Sequence, residues 1–188
     1  PEMLDLTSVK APIETANGLP NGCFVDADLY QHEQNTLFPD KWATIGFGKD
    51  LPKPGCVKPI EFAVLPLLLV RNQDNEVKVF ENFCIHRGMI LVSEAQQLRG
   101  PITCPHHAWA YDLNGQLRKT PHVIGPDVHE HDTINHCDYT LNEVRSSQWL
   151  DIIFVNIGGQ VAAFETRADD LIERWHEFDQ PVFNSGPD

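Results

Sequence analysis

The sequence predicts a mainly β (α+β) protein, an antiparallel β-sandwich with a helix at each end. Three observations predict this class. Short runs rich in β-branched and aromatic residues fill residues 57–157, Asn114-Gly115 joins two such runs, and apolar residues recur at helical spacing only outside this region. With 188 residues, 41% of them hydrophobic, the chain can bury the core of one domain with an extension.

The N-terminal part is predicted to be an arm followed by one helix. Residues 1–22 are punctuated by proline, glycine and asparagine and have no periodicity, which is typical of a loop. Asp26 is a candidate N-cap, apolar residues follow it at helical spacing up to Phe38, and Pro39 ends the helix.

The middle of the chain is predicted to be antiparallel β structure. Asn114-Gly115 favours a type I′ hairpin turn, because both residues tolerate positive φ. After residue 164 helical spacing returns: Leu171, Trp175 and Phe178 form one apolar stripe on an otherwise charged, solvated helix. Strands are predicted over residues 57–62, 65–71, 77–83, 109–113, 116–118, 139–146 and 149–157.

Charge and hydropathy exclude several classes of partner. The chain has 14 Lys and Arg against 27 Asp and Glu, a net charge of −13 that disfavours nucleic acids and anionic membranes. Its longest apolar run, residues 64–70, is too short to span a bilayer, and its first residues lack the pattern of a signal peptide. We therefore expect a cytoplasmic protein, whose cysteines are metal ligands or core residues.

Two cysteine–histidine pairs carry the chemistry of this sequence. Cys84-x-His86 is followed after seventeen residues by Cys104-x-x-His107. In an extended segment residues i and i+2 point the same way, and a turn at Pro105 brings His107 to the side of Cys104. Two loops that each offer one thiolate and one imidazole can therefore close over a single inorganic centre.

Two kinds of centre suit this set of ligands. A tetrahedral zinc ion bound by two cysteines and two histidines would be a structural staple, but its paired ligands are usually two to four residues apart, and C-x-H is tighter. A Rieske 2Fe-2S cluster has two cysteines on one iron and two histidines on the other. The mirrored loops favour the Rieske cluster.

The residues around these pairs resemble a known family. The chain is similar to the Rieske domain of the non-haem iron ring-hydroxylating oxygenases, in their large (alpha) subunit. Residues 37–42, 51–55 and 149–156 also follow the family's order, and the resemblance covers residues 19–180. The likeness lies in Cys84-x-His86-Arg87-Gly88-x-x-Leu91 followed by Cys104-Pro105-x-His107-x-Trp109-x-Tyr111, and the spacing of the four ligands is its specific part.

The resemblance implies how the centre is built. Cys84 and Cys104 would bind the inner iron of the cluster, and His86 and His107 the outer iron, from which electrons leave. Trp109 would pack beneath the cluster loop, and Arg87 would position the loops; its place beside His86 favours this role over simple solvent exposure.

The resemblance also implies the role of the protein, an oxidoreductase. Its domain would relay electrons from a ferredoxin or a flavin-dependent reductase to a mononuclear Fe(II) in a catalytic domain that these 188 residues do not contain. Aromatic rings are the family's commonest substrates, and amines and methyl groups also occur. The family forms trimers, so we expect a homo-oligomer at full length, and we expect this piece alone to lack oxygenase activity.

These implications divide the chain into three parts. Residues 1–40 would be an arm and helix, residues 41–140 the Rieske domain, and residues 141–188 the closing strands with the start of the catalytic domain. Two other functions stay open at this point. One is a stand-alone Rieske ferredoxin that only carries electrons, and the other is a zinc-stapled interaction domain.

The sequence departs from the family at two positions. His106 stands where the family usually has tyrosine, and it is either a solvent-facing substitute or a competitor of His107 for iron; the spacing favours His107. Ala108 stands where the family usually has glycine, which raises the question of whether that position needs positive φ.

The remaining histidines and cysteines are expected to be bystanders. Asp127, His131 and His136 approach the pattern of the family's mononuclear iron site, but Asp127 lies one position too early, so we expect a polar surface loop. The same applies to His122 and His129. Cysteines without ligand-like neighbours are expected to be small core residues, as are the tryptophans other than Trp109; these cysteines are Cys23, Cys56 and Cys137.

Overall fold

The computed structural model describes residues 5–123, 125–126, 128–129, 131–132 and 134–179. The strands within them are short and antiparallel, as the sequence predicts. They are β1 (Ala43–Phe47), β2 (Cys56–Phe62), β3 (Leu65–Arg71), β4 (Val77–Glu81), β5 (Gln96–Gln97), β6 (Ile102–Thr103), β7 (Ala110–Tyr111), β8 (Leu117–Lys119), β9 (Arg145–Trp149) and β10 (Ile152–Asn156).

The strands form three antiparallel sheets. The largest has the order β4-β3-β2-β5, a second has the order β1-β10-β9, and a third, small sheet has the order β6-β7-β8. Strand β1 therefore pairs with β10, from the far end of the chain, with Ala43 opposite Val155. This pairing brings together the two ends of residues 48–151.

Strand β3 is buried on both faces and separates two cores. Leu68 and Val70 belong to the core that also contains both cysteines of the two cysteine–histidine pairs. Leu67 and Leu69 point the other way, into the core shared with the sheet of β1, β10 and β9. The alternation follows from the period of two along a strand, and burial on both faces explains the unbroken apolar run of this segment.

Helices flank the strands at both ends. Helix α1 (Gly22–Val25) precedes α2 (Ala27–Thr36), and the carboxylate of Asp26 accepts the backbone N–H of Asp28 and Leu29, which confirms the predicted N-cap. Helices α3 (Phe164–Arg167) and α4 (Asp169–Trp175) follow the last strand. Among the described residues no helix is both long and apolar enough to cross a bilayer.

The apolar stripe of the C-terminal helix lies on the surface. Leu171, Trp175 and Phe178 are 42–45% exposed, so Trp175 is not the core aromatic that the sequence suggests. Helix α4 ends at Trp175, and Phe178 lies in the 3₁₀ turn (His176–Phe178) that follows, so the predicted stripe is divided between two short elements. Residues 180–188, the end of the third predicted part, lie outside the described residues.

Two predicted elements differ in the structure. The segment predicted as a strand over 139–146 begins at the end of a 3₁₀ turn (His136–Tyr139), forms a bridge from Glu143 to Phe80, and enters β9 only at Arg145. The turn at Asn114-Gly115 is not type I′, because only Gly115 has positive φ, at 78°. Gly115 faces the ring of Phe80, whose nearest atom would lie 2.6 Å from an added Cβ, so the close approach requires glycine here.

Candidate metal centre

The first cysteine loop, residues 82–92, is a tight hairpin around Cys84. The N–H of Cys84 donates to the C=O of Met89 at 2.8 Å, and the N–H of Gly88 donates back to the C=O of Cys84 at 2.8 Å. Gly88 has a φ of 69°, the left-handed conformation that lets the chain turn back on itself. The backbone thus curls around the Cys84 side chain and carries His86 at its tip.

The second cysteine loop, residues 102–111, repeats this hairpin around Cys104. The N–H of Cys104 donates to the C=O of Trp109 at 2.8 Å, and the N–H of Ala108 donates to the C=O of Cys104 at 3.0 Å. Ala108 has a φ of 57°, so the residue four positions after each cysteine is left-handed. The two loops therefore share the same backbone turn, although the histidine follows the cysteine by two residues in the first loop and by three in the second.

The two loops bring the four predicted ligands together. Cys84 and Cys104 are 1% and 2% exposed, at the base of the loops. His86 and His107 are half-buried and lie further out, with ring centroids 4.8 Å apart. Two sulfurs inside and two imidazoles outside are the arrangement in which one iron of a cluster faces the core and the other faces the surface.

A cavity of about 370 Å³ lies between the loops and is lined by all four of these residues. Nδ1 of His86 is buried and has no hydrogen-bond partner among the protein atoms. A buried polar atom without a partner is costly, so this nitrogen suits a metal ligand. Within the described part of the chain no three His, Cys, Asp or Glu side chains gather on one point, and a two-iron cluster needs only two protein ligands per iron.

Tyr111 lies directly behind Cys84. Its hydroxyl oxygen is 3.1 Å from Cys84 Sγ, and the side chain is wholly buried. Burial, followed by the contact with Cys84, holds the pKa of Tyr111 far above its ordinary value. The hydroxyl therefore keeps its proton and donates a hydrogen bond to the sulfur whenever Cys84 is a thiolate.

Trp109 forms the wall beneath His86. It is 3% exposed, and its ring stacks on the imidazole with centroids 4.5 Å apart and planes 7° from parallel. Tyr139 packs edge-on against the opposite part of the indole, with centroids 5.6 Å apart. Trp109 thus excludes water from one face of the centre and restricts the orientation of His86.

The electrostatic environment keeps the imidazoles neutral and the buried thiol protonated in the metal-free protein. Burial, then the positive charge of Arg87, lowers the pKa of His86, and burial followed by His106 lowers the pKa of His107. Burial raises the pKa of Cys84. Binding of a metal centre must therefore release the thiol proton, whereas the histidines are already in their ligand form.

Arg87 and His106 both lie on the exposed rim of the centre. The ring of His106 is 4.0 Å from that of His107, centroid to centroid. Arg87 is exposed, which is the less favoured of the two possibilities that the sequence left for it. Its positive charge contributes to the lowered pKa of His86.

Ala108 occupies a position that suits glycine. The left-handed conformation costs alanine about 1–2 kcal/mol of folding free energy, a strain that glycine does not have. Glycine in turn makes the unfolded chain more flexible, which offsets about 0.4–1 kcal/mol of the gain. We therefore expect Ala108→Gly to stabilise the protein by about 1 kcal/mol and to raise its thermal midpoint by about 2–4 °C. Gly88→Ala is the matched control: an added Cβ meets nothing within 4 Å there, so strain alone should lower the midpoint. A lower midpoint for Ala108→Gly would contradict the argument.

The histidines after the second cysteine loop do not form a second iron site in the described chain. His131 and His136 line a surface cavity with Asp132, and the rings of His122 and His129 are 5.1 Å apart. Asp127, the carboxylate of the possible triad, lies outside the described residues. Among the residues that are described, no group of three or more side chains is arranged to hold a metal ion.

The other cysteines are less buried than the sequence suggests. Cys137 is exposed and Cys23 is only half-buried, so the prediction of three core residues is wrong for these two, whereas Cys56 is half-buried and packs against the core shared with the sheet of β1, β10 and β9. Cys137 follows Asn135, which caps a 3₁₀ turn at the surface, and Cys56 lies in β2 beside the short edge strand β5.

Sequence reasoning missed Asn82, whose side chain bonds both backbone groups of Val92 across the first cysteine loop. It quoted Tyr111 but gave it no role. The signal for Asn82 was its position two residues before Cys84, because side chains two positions apart in an extended segment point to the same side.

Residues 41–130 match the family model of the Rieske 2Fe-2S domain. This segment is a Rieske domain. The Rieske domain is similar in sequence to large subunits of Rieske oxygenases. The 2-aminobenzenesulfonate 2,3-dioxygenase subunit alpha of Alcaligenes sp is 26% identical over 164 residues, which are 86% of this chain and 40% of that protein. The large oxygenase component of salicylate 5-hydroxylase from Ralstonia sp is 33% identical over 113 residues, 60% and 27% of the two chains.

Solved structures show the same relationship. Naphthalene 1,2-dioxygenase with indole in its active site superposes with a TM-score of 0.67 at 25% identity, over 81% of this chain and 34% of that one. The likeness extends beyond residues 41–130 into the flanking segments. The chain spans less than half the length of each of these relatives.

Proposed function

We propose that Cys84 and Cys104 bind one iron of the Rieske cluster and that His86 and His107 bind the other. The observation that carries the proposal is the pair of equivalent hairpins, which bury both sulfurs and leave both imidazoles half-exposed, 4.8 Å apart between centroids. His106 is assigned as a neighbour of the ligands, because its side chain is exposed, whereas His107 is half-buried with its ring 4.8 Å from that of His86.

The protein supplies the surroundings that electron transfer needs. A bound cluster of this kind takes up and releases one electron at a time. The half-exposed rings of His86 and His107 connect the centre with the surface, while Trp109 excludes water beneath them. Tyr111 donates a hydrogen bond to the Cys84 sulfur and so favours the more negative, reduced state.

We further propose that the whole protein is an oxygenase whose Rieske domain receives electrons from a ferredoxin or a flavin-dependent reductase. A separate mononuclear Fe(II) would then carry out the oxidation. The matches to oxygenase subunits extend beyond the Rieske domain, which favours this role over a stand-alone electron carrier. A gene that continues after Asp188 with Asp-x-x-His-x-x-x-x-His would support the proposal, and a stop codon directly after it would contradict it.

The assembly and the location of the protein are also proposals. Resemblance to the family supports a homo-oligomer, a trimer at full length, which light scattering on the full-length protein tests. All five cysteines are unpaired, which suits the reducing cytoplasm.

Metal analysis of purified protein tests the cluster directly. We expect two irons and two acid-labile sulfides per chain, visible absorption in the oxidised protein, and an EPR signal that appears only after reduction by one electron. Cys104→Ala should abolish all three signals, whereas Cys137→Ala, at an exposed cysteine, should leave them unchanged. A colourless protein with one zinc per chain would overturn the proposal in favour of a structural zinc site.

A further inference from the structure

We propose that Asn82 is a positioning residue that holds the first cysteine loop closed around the metal centre. Its Nδ2 donates to the C=O of Val92 at 2.7 Å, and its Oδ1 accepts the N–H of Val92 at 3.1 Å. Asn82 and Val92, 2% and 4% exposed, are the first and last residues of the loop. The proposal rests on the ligand assignment of Cys84 and His86, which lie between them.

The backbone alone closes this loop weakly. Phe83 and Ile90 form one isolated bridge, and the next bond, from the N–H of Leu91 to the C=O of Asn82, is stretched to 3.4 Å. The Asn82 side-chain amide adds two further hydrogen bonds beyond the last backbone bond, one to each backbone group of Val92. Its own N–H donates to the C=O of Pro66 at 2.8 Å, which anchors the closure to β3 at the centre of the fold.

The second cysteine loop shows why the first one needs a polar side chain. Ile102 stands two residues before Cys104, as Asn82 stands two residues before Cys84. Ile102 is wholly buried and apolar, and its backbone pairs with Tyr111 in a regular ladder that also includes the pair Thr103 and Ala110. Strand pairing closes this loop, so the side chain at the equivalent position is free to pack in the core.

Removal of the amide should open one loop while the rest of the fold stays intact. Val92 would keep a buried N–H and C=O without partners, and unsatisfied buried groups are relieved when the segment moves toward water. The backbone that holds Cys84 and His86 would then separate from the second loop more often. We therefore expect faster loss of the cluster from this side.

The experiment compares Asn82→Leu with Asn72→Leu in the cluster-loaded protein. Asn72 is a fair control: it is 1% exposed, and its amide bonds Glu76 and Asn114 at a turn outside the cysteine loops. Both variants should lower the thermal midpoint. Loss of visible absorption to an iron chelator should become about tenfold faster in Asn82→Leu and change less than about twofold in Asn72→Leu.

Amide exchange gives a second readout that general destabilisation would not produce. The Val92 and Leu91 N–H groups should exchange about tenfold faster in Asn82→Leu, and those of the second cysteine loop should not. If Asn82→Leu does not fold, Asn82→Asp serves instead, because it keeps an acceptor for the Val92 N–H but turns a carboxylate oxygen toward the Val92 C=O in place of the donor. Its cluster should be lost faster than that of the wild type.

Two results would overturn the inference: an unchanged rate of cluster loss in both Asn82 variants, or an equal increase in Asn82→Leu and Asn72→Leu. A wild-type protein that assembles no cluster contradicts the ligand assignment instead. Amide exchange is therefore also measured on metal-free protein, where unchanged exchange at Val92 in Asn82→Leu would by itself reject the proposed closure.

Discussion

His107→Cys is expected to retain the cluster and to lower its reduction potential by about 100–300 mV. Clusters with four thiolates lie several hundred millivolts below Rieske clusters, because each thiolate that replaces a neutral imidazole adds one negative charge that disfavours the incoming electron. The half-exposed position of His107 leaves room for the shorter side chain and for solvent beside it. A redox titration followed by EPR measures the shift.

His106→Cys is the matched control for this substitution. His106 has the same side chain on the same loop, its ring lies 4.0 Å from that of His107, and we assign it no iron. The potential should change by no more than tens of millivolts, since only the surroundings of the cluster differ. If His106→Cys gave the large shift and His107→Cys the small one, the two histidines would exchange roles.

Tyr111→Phe is expected to lower the potential while the cluster and the fold remain. The hydroxyl lies 3.1 Å from Cys84 Sγ and must be the donor once that sulfur is a thiolate. A hydrogen bond that favours the reduced state by about 1 kcal/mol raises a one-electron potential by about 40 mV. The variant should therefore titrate about 20–60 mV below the wild type in a voltammetric measurement.

Tyr139→Phe controls for the loss of a phenolic hydroxyl near the centre. Tyr139 packs against Trp109 through its ring, and this contact survives the substitution. Its potential should equal that of the wild type within the error of the titration. An unchanged potential in Tyr111→Phe would show that the hydroxyl does not tune the potential, and Tyr111 would then contribute only through the packing of its ring.

Local sequence determined the framework of the site. The pairs Cys84-x-His86 and Cys104-x-x-His107 predict a two-loop metal centre, and the family resemblance led to the Rieske domain that the match over residues 41–130 shows. Alternation and turn residues also located most strands, because period-two burial is a local property of the chain. The N-cap at Asp26 was likewise readable, since its carboxylate bonds residues only two and three positions away.

Tertiary structure decided features that depend on residues distant in the chain. Only Arg145 and Ser146 of the predicted strand over 139–146 pair with β10, and the residues before them reach β4 through scattered backbone bonds and a single bridge to Phe80. The exposure of Trp175 depends on which elements reach the last helix, and no pattern within the helix encodes that.

Ligand spacing therefore predicts which residues hold the centre, whereas the fold decides how their side chains are buried and which groups they contact. The bond from Tyr111 to Cys84 joins residues 27 positions apart, and the closure by Asn82 spans ten. Such contacts form only when sheets and loops are packed. A sequence pattern records which donors and acceptors exist, whereas burial and distance determine which of them meet.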